Sequence, residues 1–273
     1  MSEWKRVRLG DVVVFNPESV KKGYPHEIIE YLDIASVGSN VSSGTQSYEL
    51  AESPGRAKRL VRDGDTIIST VRPNLKTYMK VSDPLDNLVV STGFAVMRPM
   101  DDIDADFLFY SVINQKIIDE LSAIADSKTT SYPAVSADDI ANICITMPEK
   151  IVQKKIGRVL SAYDHSIKNN NRRIAILEEM AQRLYREWFV HFRFPGHENI
   201  EMVDSELGMI PEGWEVGKVG DICDRIFSGG TPTTTIDEYW NGDLPWFSSG
   251  ETRNSFIVDT EKSITKLGVD NSS

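Results

Sequence analysis

The octapeptide Ser69-Thr70-Val71-Arg72-Pro73-Asn74-Leu75-Lys76 sets two hydroxyls, a guanidinium, an amide and an ammonium at a strand end and its turn. Those groups suit nucleic acid: arginine forks onto guanine, asparagine onto adenine, and Ser, Thr and Lys reach phosphate oxygens. Lys128-Thr129-Thr130-Ser131-Tyr132 is a second polar loop, carrying an aromatic. Ser228-Gly229-Gly230-Thr231 is a third, where glycines allow close backbone approach. Arg56, Lys58, Arg59 and Arg62 form a basic cluster upstream. Taken singly, each of these stretches also reads as ordinary solvated surface.

Other chemistries leave no comparable trace. No phosphate-binding loop is present: Gly213 to Val219 has the wrong spacing and no hydroxyl after Lys218. No G-x-G-x-x-G follows a strand, so no dinucleotide or methyl-donor pocket is advertised. The four histidines, His26, His165, His191 and His197, contain no H-E-x-x-H zinc spacing. Asp259, Glu261 and Lys262 resemble part of a nuclease's carboxylate–lysine set but lack a companion acid on a core strand. The residues predict no catalytic centre, no metal site and no cofactor held by this chain.

The elements that must position the polar loops begin with a long helix, expected over 149–193. Ile156, Leu160, Tyr163, Ile167, Asn170, Ile174, Leu177, Ala181, Leu184 and Trp188 step 4-3-4-3 without a slip. That spacing keeps one apolar seam on one face, as a coiled coil demands, and Asn170 is the polar position that would hold register. The segment would run on the order of 65 Å. Such a seam needs a partner helix, unless it packs as a core helix inside one globule. Before it, 1–148 reads as one mixed α/β unit. Val12–Phe15, Ile28–Ile34, Thr66–Thr70, Tyr78–Val81 and Phe94–Arg98 are β-prone, 104–125 is helical, and Ser136 to Asp139 makes a capping box. After it, 194–212 is an acidic linker. At 213–273 the opening of the chain recurs: Trp4, Leu9, Gly10 and Asp11 match Trp214, Val219, Gly220 and Asp221 at a constant offset of 210 residues. The expected fold is an α/β (α+β) domain, a coiled-coil-forming helix, and the incomplete start of a second domain of the same kind.

Composition bounds these readings. The 273 residues are 40% apolar and carry a formal charge of -11, which argues against a uniformly basic nucleic-acid coat. The charge is uneven: Lys/Arg against Asp/Glu is 15 to 21 over 1–148, 10 to 5 over 149–193, and 5 to 15 over 194–273. The helix is the basic part. Cys144 and Cys223 are too few and too distant for a disulfide framework, and no stretch could span a bilayer. A reducing, cytoplasmic setting follows as the expectation.

The helix motifs Gln153 to Ile156, Leu160 to Asp164, Asn170 to Ile174 and Leu177 to Gln182 resemble the specificity subunit of type I restriction–modification systems. Ile68 to Asn74, Ser91 to Pro99 and Tyr132 to Ser136 are similar to segments of that family's first target-recognition domain. Gly229 to Thr233 and Tyr239 to Trp246 are similar to the opening of its second. The resemblance implies a subunit whose recognition domains each read one half of a split double-stranded DNA target. Long helices set the spacing, and methyltransferase and restriction subunits dock on the scaffold. S-adenosylmethionine, ATP and Mg would be held by those partners, not by this chain. The family pattern also implies a second recognition domain and a second helix, so a homodimer through the long helix, completion by another chain, or an inactive truncated remnant all stay open. Outside the resemblance, a helical assembly adaptor that binds protein, or an enzyme in its own right, are the competing classes.

Overall fold

The computed structural model describes residues 4–128, 133–226, 228–253 and 257–272. By internal packing the chain divides into two units, 1–179 and 180–273. The division falls inside the long helix, whose first turns bury Gln153 and Gly157 against the first unit.

The first unit is built from β1 (Lys5–Arg8), α1 (Leu9–Val12), β2 (Val13–Phe15), β3 (Ile28–Leu32), β4 (Gln46–Glu49), β5 (Ala57–Leu60), β6 (Thr66–Ser69), β7 (Tyr78–Lys80), β8 (Leu88–Ser91), β9 (Phe94–Pro99), α2 (Ala105–Val112), α3 (Gln115–Lys128), α4 (Ala137–Asn142), β10 (Cys144–Met147) and α5 (Lys150–Tyr185). One antiparallel sheet runs β2-β9-β6-β7, and a mixed sheet runs β4-β3-β8-β5 with β3 and β8 parallel. The central strands β6 and β9 are apolar on both faces, which the alternation of side chains explains. Ile68, Ala95 and Met97 point to a core under α2, α3 and α4, whereas Ile67, Phe94 and Val96 join Leu32 and Val90 from the other sheet and Val37 from the turn after β3. Ile29, Tyr31, Ala57 and Val89 form a third core on the far face of the mixed sheet.

All five β-prone runs are strands. β1, β4, β5, β8 and β10 are strands that the alternation did not flag; β1 reads Lys-Arg-Val-Arg and earns its place by pairing with β10, Lys5 opposite Met147. The helical stretch 104–125 is two helices, broken at Ile113-Asn114. Asn114 ends one and starts the next: its Oδ1 accepts from the Lys116 N–H at 3.0 Å and its carbonyl from those of Ile117 and Ile118. The capping box at Ser136 is present, with the Asp139 N–H donating to Ser136 Oγ at 3.2 Å.

α5 spans 36 residues, about 54 Å at the usual rise. Its root is fixed by polar side chains. Gln153 is 1% exposed; its Nε2 donates to Pro148 O at 2.9 Å and its Oε1 accepts from the Asp104 N–H at 2.9 Å. Gly157 lies so close to α2 that a Cβ there would sit 2.6 Å from Asp106 Cβ. About two turns on, Asp164 Oδ2 accepts from Tyr110 Oη at 2.8 Å and Asn40 Nδ2 at 2.9 Å. Burial, with that carboxylate beside it, pushes the Tyr110 hydroxyl well above its ordinary pKa. Of the seam, Ile156 packs on the first core, but Leu160, Tyr163, Ile167, Ile174, Leu177 and Leu184 stay exposed.

In the second unit the helix runs on through a π-turn at Arg186–Val190 and stops at Phe192, whose φ is +56°. Tyr185, Phe189, Phe192 and Phe194 gather there around Trp214, with Phe192 and Trp214 edge to face at 5.3 Å. A hairpin of β11 (Met202–Val203) and β12 (Ile210–Pro211) follows, then α6 (Val219–Ile222), β13 (Trp240–Trp246), β14 (Lys262–Ile264) and α7 (Lys266–Asp270). The expected repeat is present in the backbone. Leu9–Val12 and Val219–Ile222 both make a single helical turn, entered from extended Arg8 and Lys218 and left through extended Val13 and Cys223.

Candidate nucleic-acid interface

The 69–76 loop opens at the end of β6. Ser69 is 2% exposed, and its hydroxyl accepts from the Val71 N–H at 3.1 Å and donates to Val71 O at 2.9 Å. It shapes the loop and is not available to a ligand, which corrects its place among the reading groups. Thr70 Oγ1 likewise donates inward, to Gly93 O at 2.9 Å. Arg72, Asn74 and Lys76 do face solvent. Arg72 and Lys76 both take left-handed backbone (φ +47° and +54°), flanking a 3-10 turn at Pro73–Leu75. Left-handed backbone strains a side-chain-bearing residue by on the order of 1–2 kcal/mol. The turn therefore keeps two cations in a conformation that glycine would adopt more readily.

Backbone hydrogen bonds carry this loop into a longer rim. The Arg72 N–H donates to Pro133 O at 2.9 Å and the Val135 N–H to Thr70 O at 2.8 Å. The chain leaving the second polar loop is thus stitched to the first. On the other side, the Thr70 N–H donates to Gly93 O at 2.9 Å, and the Thr92 N–H to Arg56 O at 2.8 Å. Arg56, Thr92, Arg72, Asn74 and Lys76 are exposed along that rim. Thr92, within the Ser91-Thr92-Gly93 segment, joins the rim although its residue type alone does not single it out. The turn needs Gly93, where a Cβ would fall 2.2 Å from Ile34 Cδ1. A cleft of about 320 Å³ lies behind the rim between Arg72, Pro73, Asn74, Ser122 and Asp126. Asp126 in its lining makes the cleft a poor seat for a phosphate.

The remaining predicted residues are placed less uniformly. Thr129, Thr130, Ser131 and Tyr132 lie outside the described residues. Lys128 pairs with Asp139. Burial works to raise the Asp139 carboxyl, but Lys128 and the Ser136 hydroxyl and N–H outweigh it and hold the pKa at about 2. The upstream basic cluster does not act as one face. Lys58 is exposed and Arg59 half-buried at an irregularity in β5, Arg59 Nε is buried without a hydrogen-bond partner, and Arg62 pairs with Glu18. Arg98 anchors that group. It forks onto buried Asp65 at 2.9 and 2.8 Å and reaches Glu18 at 2.8 Å, and the Asp65 hydrogen bonds raise the guanidinium pKa further. Ser228, Gly229 and Thr231 are exposed in the second unit, where Gly230 O accepts from Trp246 Nε1 at 3.4 Å. No group of His, Cys, Asp and Glu able to hold a metal occurs among the described residues. No described helix is long and apolar enough to cross a membrane.

A family model described as the type I restriction modification DNA specificity domain matches residues 1–179 and 211–273. The chain belongs to this family. The two matched stretches carry the first unit with the root of α5, and the partial repeat. Among specificity-domain relatives, the HindI specificity subunit of Haemophilus influenzae is 24% identical over 98% of this chain and 70% of its own length. The MjaVIII specificity subunit of Methanocaldococcus jannaschii is 32% identical over 81% and 49%. Among solved structures, the HsdS subunit from Thermoanaerobacter tengcongensis is 26% identical with a TM-score of 0.52, over 89% of this chain and 60% of that one. A chain from a study of type I R-M complex assembly gives 27% and 0.53, over 90% and 60%. The chain thus spans about 60% of the solved subunits it matches.

Proposed function

We propose that this chain is the DNA-reading part of a type I specificity subunit. The first unit reads one half of a split double-stranded target, and α5 sets the distance to the other half. The observation that carries the reading is the continuous rim Arg56–Thr92–Arg72–Asn74–Lys76, which presents cations and an amide on a backbone-bonded edge. Phosphate contacts from Arg56 and Lys76 would fix orientation, while Arg72 and Asn74 would reach base edges in the major groove. The basic excess on α5 suits a segment that runs beside phosphates.

The chain's work, on this reading, is address rather than chemistry. A methyltransferase partner using S-adenosylmethionine would modify the DNA, and a restriction partner using ATP and Mg would cut it, in the cytoplasm. The exposed seam from Leu160 to Leu184 takes a second helix, either from another copy or from a different chain.

The test is DNA binding by the full chain across salt concentrations. Release of counterions makes log K fall linearly with log salt, by about 0.9 per phosphate neutralised. A steep slope that becomes shallower by about one in Lys76→Ala supports the rim. A flat slope would favour the protein-binding adaptor.

A further inference from the structure

We infer that Asn40 is a positioning residue: its side chain bolts the reading rim to α5 and so fixes the spacing of the split target that the chain accepts. The spacing part of this inference rests on the DNA-reading function proposed above. Asn40 lies in the loop between β3 and β4 and takes left-handed backbone, with φ +58°. Hydrogen bonds zip its segment to the chain that leaves the rim loop. Ser39 Oγ donates to Lys76 O at 3.2 Å, and the Asn40 N–H to Tyr78 O at 2.8 Å. The Tyr78 N–H donates to Gly38 O at 3.2 Å, and the Lys80 N–H to Asn40 Oδ1 at 3.2 Å. With its oxygen held by β7, the amide turns its nitrogen to the helix, where Nδ2 donates to Asp164 Oδ2 at 2.9 Å. Tyr110 Oη, on α2, donates to the same oxygen at 2.8 Å. One half-buried amide thus bonds both the strand that follows Lys76 and the helix that measures distance.

The height of this contact on α5 gives it leverage. Gln153 and Gly157 seat the root, and Asp164 is the last position before a run of exposed residues from 165 to 185. Lys80 reinforces only the root, through its ion pair with Asp106 beside Gly157. The exposed run is about 32 Å long at the usual rise. A tilt of about 6° at Asp164 therefore swings its far end by about 3.4 Å, one base-pair step of duplex DNA. A helix tied only at its root would carry that play into the distance between half-sites. The bond from Asn40 to Asp164 removes it.

Asn40→Gly tests the tie with little risk to the fold, because glycine adopts left-handed backbone without steric cost while losing the amide. Asp164→Asn is the conservative control: both donors converge on Oδ2, and an amide oxygen can accept two hydrogen bonds. Spin labels at Leu75→Cys and Lys168→Cys, both exposed positions, report the rim-to-helix distance in the full chain. The background carries Cys144→Ser and Cys223→Ser, and labelled chains are diluted with unlabelled ones. One narrow distance distribution is expected in the parent and in Asp164→Asn, and one at least twofold broader in Asn40→Gly and Asp164→Ala. Equal widths in the parent and Asn40→Gly overturn the assignment. The consequence is read by mapping methylated adenines after co-expression with a cognate type I methyltransferase subunit. Asn40→Gly should add sites whose halves lie one base pair nearer or farther apart, with the bases of each half unchanged; Asp164→Asn should not. Unchanged spacing, or altered half-site bases, overturns the positioning role and leaves the DNA reading intact. No split motif from the parent chain removes the DNA reading and the spacing role with it, and the distance widths then decide the tie.

Discussion

Arg72 shows how a single side chain divides between fold and function. Its left-handed backbone would suit glycine, yet the residue is an arginine with its side chain in solvent. Strain kept at an exposed position is explained when the side chain is used. We predict that Arg72→Gly leaves the thermal midpoint unchanged or raises it, because the strain is relieved, while DNA affinity falls by about 1–3 kcal/mol if the guanidinium forks onto a base. Unaltered affinity in a titration at fixed salt would remove Arg72 from the interface. Asp139 gives a second residue-scale outcome. Its pKa is lower in the fold than in the unfolded chain, so its contribution is complete above the ordinary 3.8 and lost as pH falls towards about 2. Asp139→Asn should flatten the acid limb of stability over that window, measured by denaturant titration at stepped pH. The sequence shows which residues are charged but not which are already committed. Ser69, Arg59 and Arg62 read as surface groups because their types are polar; only the fold shows Ser69 closed on Val71 and Arg62 held by Glu18.

Elements were legible where periodicity alone decides them. The apolar runs in β6 and β9 and the unbroken seam of α5 needed no partner to be recognised. β1, β4 and β5 are polar strands at sheet edges or outer positions, and their state is set by what they pair with, which local pattern does not carry. The root of α5 was likewise hidden. Its docking adds one buried amide, one glycine and one carboxylate to the apolar contact made by Ile156. We predict that Gly157→Val destabilises the first unit by about 1–3 kcal/mol, the usual range for overpacking, in chemical denaturation. An unchanged midpoint would show that α5 is not seated there. Farther along, Asn170→Leu should strengthen pairing of the exposed seam and relax its register. Cross-linking at paired seam positions would report it, and a weaker pair with fixed register would contradict it.

For the whole molecule, the repeat at an offset of 210 residues is the fact with the widest reach, since it was readable in four residues and recurs in the backbone. On the proposed function it makes the chain one reading unit, a ruler and the opening of another unit. That plan accounts for a family match on both sides of the linker and for the exposed aliphatic residues of the second opening. The central claim is that this plan directs a modifying enzyme to a split DNA sequence. Its most direct test is co-expression with a cognate type I methyltransferase subunit in a host lacking adenine methylation, followed by genome-wide mapping of modified adenines. The account predicts methylation confined to one split motif, an inverted repeat if two copies pair through α5 and an asymmetric one if another chain completes the reader. Methylation without a motif, or none with both proteins soluble and co-purifying, would contradict it.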